Sequence, residues 1–364
     1  EGAASLALGS LGGAAEAQEQ ALWLFRQLGD GVGEARALAS IANRHQRAGR
    51  NAEALEWNRK SLAVAAAAGH AQAHAVAAGA TASSLLVLAD SDPSLLEPAV
   101  EALQQAIAQL RSVGDRRGEG LYLSNLGLAR RYTAPAEALT HYEDALVLLR
   151  EGGARVAEGV ALKAMADLQR RQGRLAEARP LLELALRIHR EMGTRSSEGH
   201  LLLSLAALES QLGRGEEALA LNRRALEIVR ETGNVGVEPM VLANIGALST
   251  TLGRADAGAE VERAIAVSEA RGDRLIEGYA RMFLAVVRAR EGRSSDAWAE
   301  LDRSESALAG LHHPVVDGHG HLCRAEIAWL TGDPDGARAS LAAAEGFGVS
   351  DLDRDIARVR ALLD

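Results

Sequence analysis

A chain of 364 residues is long enough for two ordinary domains or for one extended repeat array. Hydrophobic residues make up 48% and charged ones 24%, which excludes a disordered tail, and only 3% are aromatic, which fits closely packed helices better than a β-sandwich. The formal net charge of −9 excludes a general nucleic-acid binder, because affinity for phosphate comes from surplus Lys and Arg.

Along the chain, residues 1–28 start without a methionine, inside a stretch that already carries the helical pattern. They are expected to be a partial first repeat of a longer polypeptide. From there glycines recur at Gly29, Gly69, Gly114, Gly153, Gly193, Gly233 and Gly272, spaced by 40, 45, 39, 40, 40 and 39 residues. A glutamate follows most of them by five residues, and a second glycine follows by twenty at Gly49, Gly173, Gly213, Gly253 and Gly292. Another unit runs from His312, with Gly332 at the matching offset. A fixed period of this length is the mark of a repeat architecture.

Between the glycines the apolar residues recur at helical spacing. In the Gly193 unit, Leu202, Leu205, Ala206 and Leu208 mark one face, and Ala218, Leu219, Ala225 and Leu226 mark another. Glycine ends a helix readily because a left-handed residue there costs it least. Asp30, Asp115, Thr194, Asn234 and Asp273 come next and are expected to cap the following helix. The expected boundaries are eight helix pairs at 29–68, 69–113, 114–152, 153–192, 193–232, 233–271, 272–311 and 312–349. Residues 350–364 should form a C-terminal capping helix. The longest apolar stretch, Leu62 to Ala89, is mostly alanine, is interrupted by His70, Gln72 and His74, and lacks the ~20 strongly apolar residues of a spanning helix. No membrane partner is expected.

The small residues Ala42, Gly127, Ala166, Ala206, Gly246, Ala285 and Ala325 hold one position of the first helix of each pair. Ala54, Ala138, Ala178, Ala218, Ala297 and Ala337 hold one position of the second. In these positions, and in segments such as GRLAEARPLLELALRIHREMG, the chain resembles the tetratricopeptide repeat family. The period near 40 is longer than that family's usual one and is similar to the arrays of kinesin light chains, bacterial peptide receptors and the sensor modules of STAND-type signalling proteins. The resemblance implies an all-α, right-handed α-solenoid of antiparallel helix pairs with a concave groove. Three departures stand out: about five extra residues around Asp90-Ser91-Asp92-Pro93, Ala134-Pro135 in place of an inter-helix glycine, and Gly258 where a packing alanine belongs.

No catalytic signature is present: no GxxxxGK[ST], no HExxH and no GxSxG, and the GDGVGE at Gly29 is a turn between helices. The chain is therefore expected to be neither an enzyme nor a cofactor protein. Cys323 is the single cysteine, which rules out an internal disulfide framework and fits a reducing, cytoplasmic setting. His312, His313, Asp317, His319, His321 and Cys323 are metal-ligand types at poor spacing, since only His319 and Cys323 share a helical face. No metal is expected. Arg26, Arg111, Arg150, Arg190 and Arg230 each precede a repeat glutamate by eight residues. They read as exposed scaffold pairs, each worth ~0–1 kcal/mol.

By analogy with the family, partner-facing positions lie 7, 10, 14, 17 and 18 residues after each leading glycine. They give a basic stretch with Ser124, Arg131, Tyr132, Lys163, Asp167, Arg170 and Arg171, and an uncharged one with Leu203, Gln211 and Met240. Asn125 and Asn244 lie beside this face, where related arrays hold a peptide backbone. The expected partner is an extended protein or peptide segment with an acidic half, or another domain of the same chain. The function expected is that of a scaffold or sensor module within a bacterial signalling protein. Alternatives are a ligand-gated receptor for a small peptide or metabolite, and a structural self-association array. Ala206→Leu is expected to overpack a helix crossing by ~1–3 kcal/mol.

Overall fold

A computed structural model describes residues 2–89 and 92–363 of the chain. Among them are α-helices and two short 3-10 turns, and no strand. The chain divides into two compact units, 1–164 and 165–364. The first contains α1 (Gly2–Leu28), α2 (Gly31–Arg47), α3 (Asn51–Ala67), α4 (Ala71–Ala89), α5 (Leu96–Ser112), α6 (Arg116–Arg130) and α7 (Pro135–Glu151). The boundary falls within α8 (Arg155–Arg171). The second contains α9 (Leu175–Glu191), α10 (Arg195–Gln211), α11 (Gly215–Glu231), α12 (Glu238–Thr251), α13 (Ala257–Arg271), α14 (Arg274–Arg290), α15 (Ser294–Leu308), α16 (Pro314–Leu330), α17 (Pro334–Glu345) and α18 (Asp353–Leu363).

Within each unit consecutive helices pair, α2 with α3, α4 with α5 and α6 with α7, then α10 with α11, α12 with α13, α14 with α15 and α16 with α17. Successive pairs stack, so first helices also touch first helices, as α12 meets α14 and α14 meets α16. This is an α-solenoid of antiparallel helix pairs. Stacking buries what a single pair leaves open, and the alanines at the close approaches, Ala42, Ala54, Ala138, Ala178, Ala218, Ala285, Ala297, Ala325 and Ala337, are fully buried.

The repeat glycines all have positive φ. At Gly193, φ is +65° and a Cβ would meet nothing within 4 Å, so glycine is kept there for backbone freedom alone. Asp30, Asp115 and Asp273 cap the helices that follow, accepting from Gly33, Gly118 and Ile276 N–H at 2.9, 2.8 and 3.2 Å. Thr194 does not cap. Its hydroxyl donates to the His189 carbonyl at 3.1 Å instead. Asn234 does not cap either, because α12 starts four residues later, with Pro239 in its first turn.

Helix α4 is long and apolar enough to cross a membrane by length and composition, with a mean hydropathy of 1.3 over its window. This differs from the sequence expectation. Half of that window is buried, with Ala75 and Ala78 packed on Ala106 and Leu110 of α5, as in the core helix of a stacked array. Asp90 and Ser91 of the expected insertion lie outside the described residues; Asp92 caps the 3-10 turn Pro93–Leu95 through Ser94 N–H at 3.1 Å.

All five Arg–Glu spacings become ion pairs, at 2.7–2.9 Å from the arginine Nε. They are less exposed than expected. The Glu119, Glu158 and Glu198 side chains are only 8%, 3% and 7% accessible. Glu198 also accepts from Arg195 at 2.6 Å. Burial pushes its carboxyl up, but the hydrogen bonds from Arg190 and Arg195 outweigh that and hold it below its ordinary 4.5. A group with a depressed folded pKa stabilises above its unfolded value and loses that contribution as pH falls through the folded one. A double-mutant cycle on Arg190→Ala and Glu198→Ala should give a coupling of about 1 kcal/mol at pH 7, limited because half of Arg190 is exposed. The coupling should fade as the pH falls well below the carboxyl's ordinary 4.5; urea titrations at pH 7 and in stronger acid check it, and a coupling indifferent to pH would contradict the ionic account.

Gly258 costs α13 stability without a packing reason. A Cβ there would meet only Val287 Cγ1, at an ordinary 3.5 Å, and its φ is not positive. Gly258→Ala should therefore stabilise by about 0.5 kcal/mol, read as a raised urea midpoint with unchanged slope.

Candidate functional site

In the first unit, Ser124 is buried. It shares a face of α6 with Gly120 and Gly127, where a Cβ would meet Leu148 and Leu149 or Tyr142, so it lies on the face turned to α7. Asn125 and Lys163 are half-buried. Arg131 lies over the ring of the exposed Tyr132 at 4.4 Å, and its Nη1 donates to the Leu128 carbonyl at 2.6 Å. That stacking makes a short cationic–aromatic surface at the end of α6.

In the second unit, four of the expected residues, Arg170, Leu203, Gln211 and Asn244, line one cavity of about 320 Å³. Asp167 is half-buried, with Ser204 Oγ donating to it at 3.4 Å; Arg171 and Met240 are exposed, and none of the three lines the cavity. The cavity runs along first helices of successive pairs: Leu203 and Ala207 of α10, Asn244 and Leu248 of α12, Tyr279 and Phe283 of α14, Val315 and His319 of α16. Ala206 is also in its wall, so a leucine there has open space on one side and the expected overpacking cost falls.

The fourth side is closed by residues expected from the sequence to form only a terminal cap. Asp351, Arg354, Asp355 and Arg358 of the 3-10 turn Ser350–Leu352 and of α18 all line the cavity. Helix α18 does cap the last pair, with Val359 and Leu363 buried beside Leu322 and Leu341. Its N-terminal end also reaches back to α8 and α10. Asp351 accepts from both Arg170 and Gln211, and Arg354 donates to the Ser210 carbonyl at 2.7 Å. Arg170 is therefore engaged internally and is not a free cation awaiting a partner.

A chain of charges runs beneath this contact. Arg290 and Arg358 both donate to the buried Glu326, Arg358 lies 3.5 Å from Asp355, and Asp355 lies 3.6 Å from His319 Nε2. Burial alone would raise the Asp355 carboxyl, but His319 and Arg358 hold it below its ordinary value. The His319 Nδ1 is 2.8 Å from the Val315 carbonyl, and no three His, Cys, Asp or Glu side chains converge as a metal-ligand group among the described residues. The groove residues expected from the sequence end with the Gly233 unit. Continued into the Gly272 and His312 units, the same offsets fall on Tyr279, Arg290, His319 and Glu326.

Residues 156–231 and 35–68 match family models of the tetratricopeptide repeat. The repeats within these two segments are of the tetratricopeptide type. No curated protein matches the chain. Among solved structures, a STAND signal-transduction ATPase with a tetratricopeptide repeat sensor from Pyrococcus horikoshii matches with TM-score 0.64 and 17% identity, over 84% of this chain and 46% of that one. This chain thus spans less than half of that protein's length. Aspartyl phosphate phosphatase F from Bacillus subtilis matches with TM-score 0.64 and 14% identity over 93% and 89% of the two chains. A Rap protein solved in complex with Competence and Sporulation Factor matches with TM-score 0.63 and 16% identity over 91% and 93%. At these identities the likeness establishes the tetratricopeptide-repeat fold, a fold used for protein binding and sensing.

Proposed function

We propose that this chain holds an extended protein segment against the first-helix face of its second unit, as a sensor or scaffold module of a larger bacterial, cytoplasmic signalling protein. The observation that carries this reading is the composition of the cavity wall. Leu203, Leu248 and Phe283 offer apolar surface, while Gln211, Asn222 and Asn244 offer amides that can both donate and accept. That combination suits a peptide backbone with an apolar side chain. The Rap neighbour, solved with a bound factor, supports a peptide as occupant. One neighbour is named a phosphatase, but in this reading the chain itself contributes binding and no catalysis.

A receptor for a small peptide or metabolite is the second reading, favoured by a cavity of about 320 Å³, near the lower end of small-ligand sites. Selection from a random-peptide phage library separates a peptide occupant from a metabolite. Enriched peptides should bind in fluorescence polarisation and weaken at least tenfold with Gln211→Ala plus Asn244→Ala, at an unchanged melting temperature. Failure to enrich any peptide over an unrelated control protein would sink the peptide reading.

A further inference from the structure

Asp351 and Arg354 occupy the cavity mouth much as a bound segment would. The Asp351 carboxylate sits on Arg170 and Gln211, which lie 181 and 140 residues earlier in the chain. Arg354 reaches the Ser210 and Gly213 carbonyls at 2.7 and 3.2 Å, at the end of α10 where carbonyls lack helical partners. Between them Leu352 turns away and is wholly buried in the last pair. Four residues thus supply an acid, an apolar anchor and a base.

This occupant satisfies the site only in part. Arg170 is 8% exposed, and its Nε has no hydrogen-bond partner, although a guanidinium can give a carboxylate two parallel bonds. The Gln211 Oε1 and the Asn222 Oδ1, acceptors in the same wall, are also buried without partners. Buried polar groups left unmade are costly, so a segment that reached them would have an advantage over Asp351. The missing complement is specific: a carboxylate placed to meet the Nε edge of Arg170, next to backbone N–H groups that can donate to Gln211 and Asn222.

We propose that the cavity is a site for an acidic peptide segment and that Asp351–Arg354 is its built-in competitor. An incoming Asp or Glu carboxylate replaces Asp351 on Arg170 and Gln211, and the start of α18 lifts from α10. This rests on the peptide reading above and names the subsite and its regulation. The wild-type protein then binds with an affinity reduced by the fraction of molecules in which the tail is docked.

The probe is a fluorescein-labelled peptide with the sequence of residues 346–358, titrated to millimolar concentration against the full chain. Asp351→Ala with Arg354→Ala should bind it at least tenfold more tightly than wild type. A peptide with alanine at the Asp351 position should lose that gain, as should addition of Arg170→Gln to the double variant. Hydrogen exchange should show faster amides over 351–358 in the double variant and unchanged α2–α5. If the double variant melts early, Arg354→Ala alone, on an exposed side chain, carries the same comparison. Equal binding to wild type and variant would overturn the competitor, and no binding to a variant that melts like wild type would overturn the acidic site. A library-selected peptide that bound both proteins alike would leave the groove reading standing while removing this one.

Discussion

Glu326→Ala should destabilise the C-terminal end of the second unit by about 2–4 kcal/mol. Glu326 is 3% exposed and accepts from Arg290 Nε and Arg358 Nη1, both at 2.8 Å. Removing one partner of a buried ion pair costs about 3–5 kcal/mol, because the remaining charge is stranded. Two guanidinium groups lose this partner, but Arg358 keeps Asp355 at 3.5 Å, Arg290 keeps the Thr250 carbonyl, and about a third of each side chain stays in solvent, which lowers the figure. Glu326→Gln keeps the shape and the acceptor oxygen and should cost roughly half as much. Because repeat arrays unfold by parts, the readout is hydrogen exchange in α16 to α18 rather than a single melting temperature. Adding Arg358→Ala to Glu326→Ala should recover part of the loss, since one half-buried charge that has lost its closer partner is then gone. Wild-type protection in Glu326→Ala would mean that apolar packing of Leu352, Val359 and Leu363 alone holds α18.

The repeat was legible because its determinants are local. Gly193, Asp273 and the Arg190–Glu198 spacing each act within a turn or two of chain, and their physics does not depend on distant residues. The same locality explains the failures. Asn234 has the right type and place to cap, yet Pro239 delays the start of α12 beyond its reach. Glu198 looks like a surface residue by spacing, and only the neighbouring helix, with Ile228 within 3.2 Å of Gly199's Cβ direction, shows why its surroundings are closed. In the candidate site, Arg170, Leu203 and Gln211 came from the repeat offsets and Asn244 from the position beside them, whereas Ser124 is buried on the face that α6 packs through Gly120 and Gly127. The tail contact was out of reach, since no periodic pattern links Asp351 to residues 140 and 181 positions away. One sign of it was present: Asp351, Asp355 and Arg358 are spaced four and three apart, a charged stripe that a purely solvated cap does not require.

Gly246→Leu should cost about 3 kcal/mol or more and is the sharper test of the packing. Gly246 holds the same repeat position as Ala206, but it does not line that cavity. A Cβ at Gly246 would lie 2.7 Å from Val261 Cγ2, 3.1 Å from Val261 Cα and 3.3 Å from Val261 N. The side-chain atom can rotate away; the two backbone atoms belong to α13 and move only if the helix does. Overpacking a well-filled core costs typically 1–3 kcal/mol, and here the displacement must spread to a whole second helix. Gly246→Ala should already cost about 1 kcal/mol, because its gain in helix propensity opposes the clash. Ala206→Leu should fall well below Gly246→Leu, its side chain entering the space lined by Leu203 and Asn244. Urea unfolding of the three variants, with hydrogen exchange localised to α10–α13, ranks them. If Ala206→Leu proved as damaging as Gly246→Leu, the two positions would be equally enclosed and the cavity beside α10 would not exist in solution.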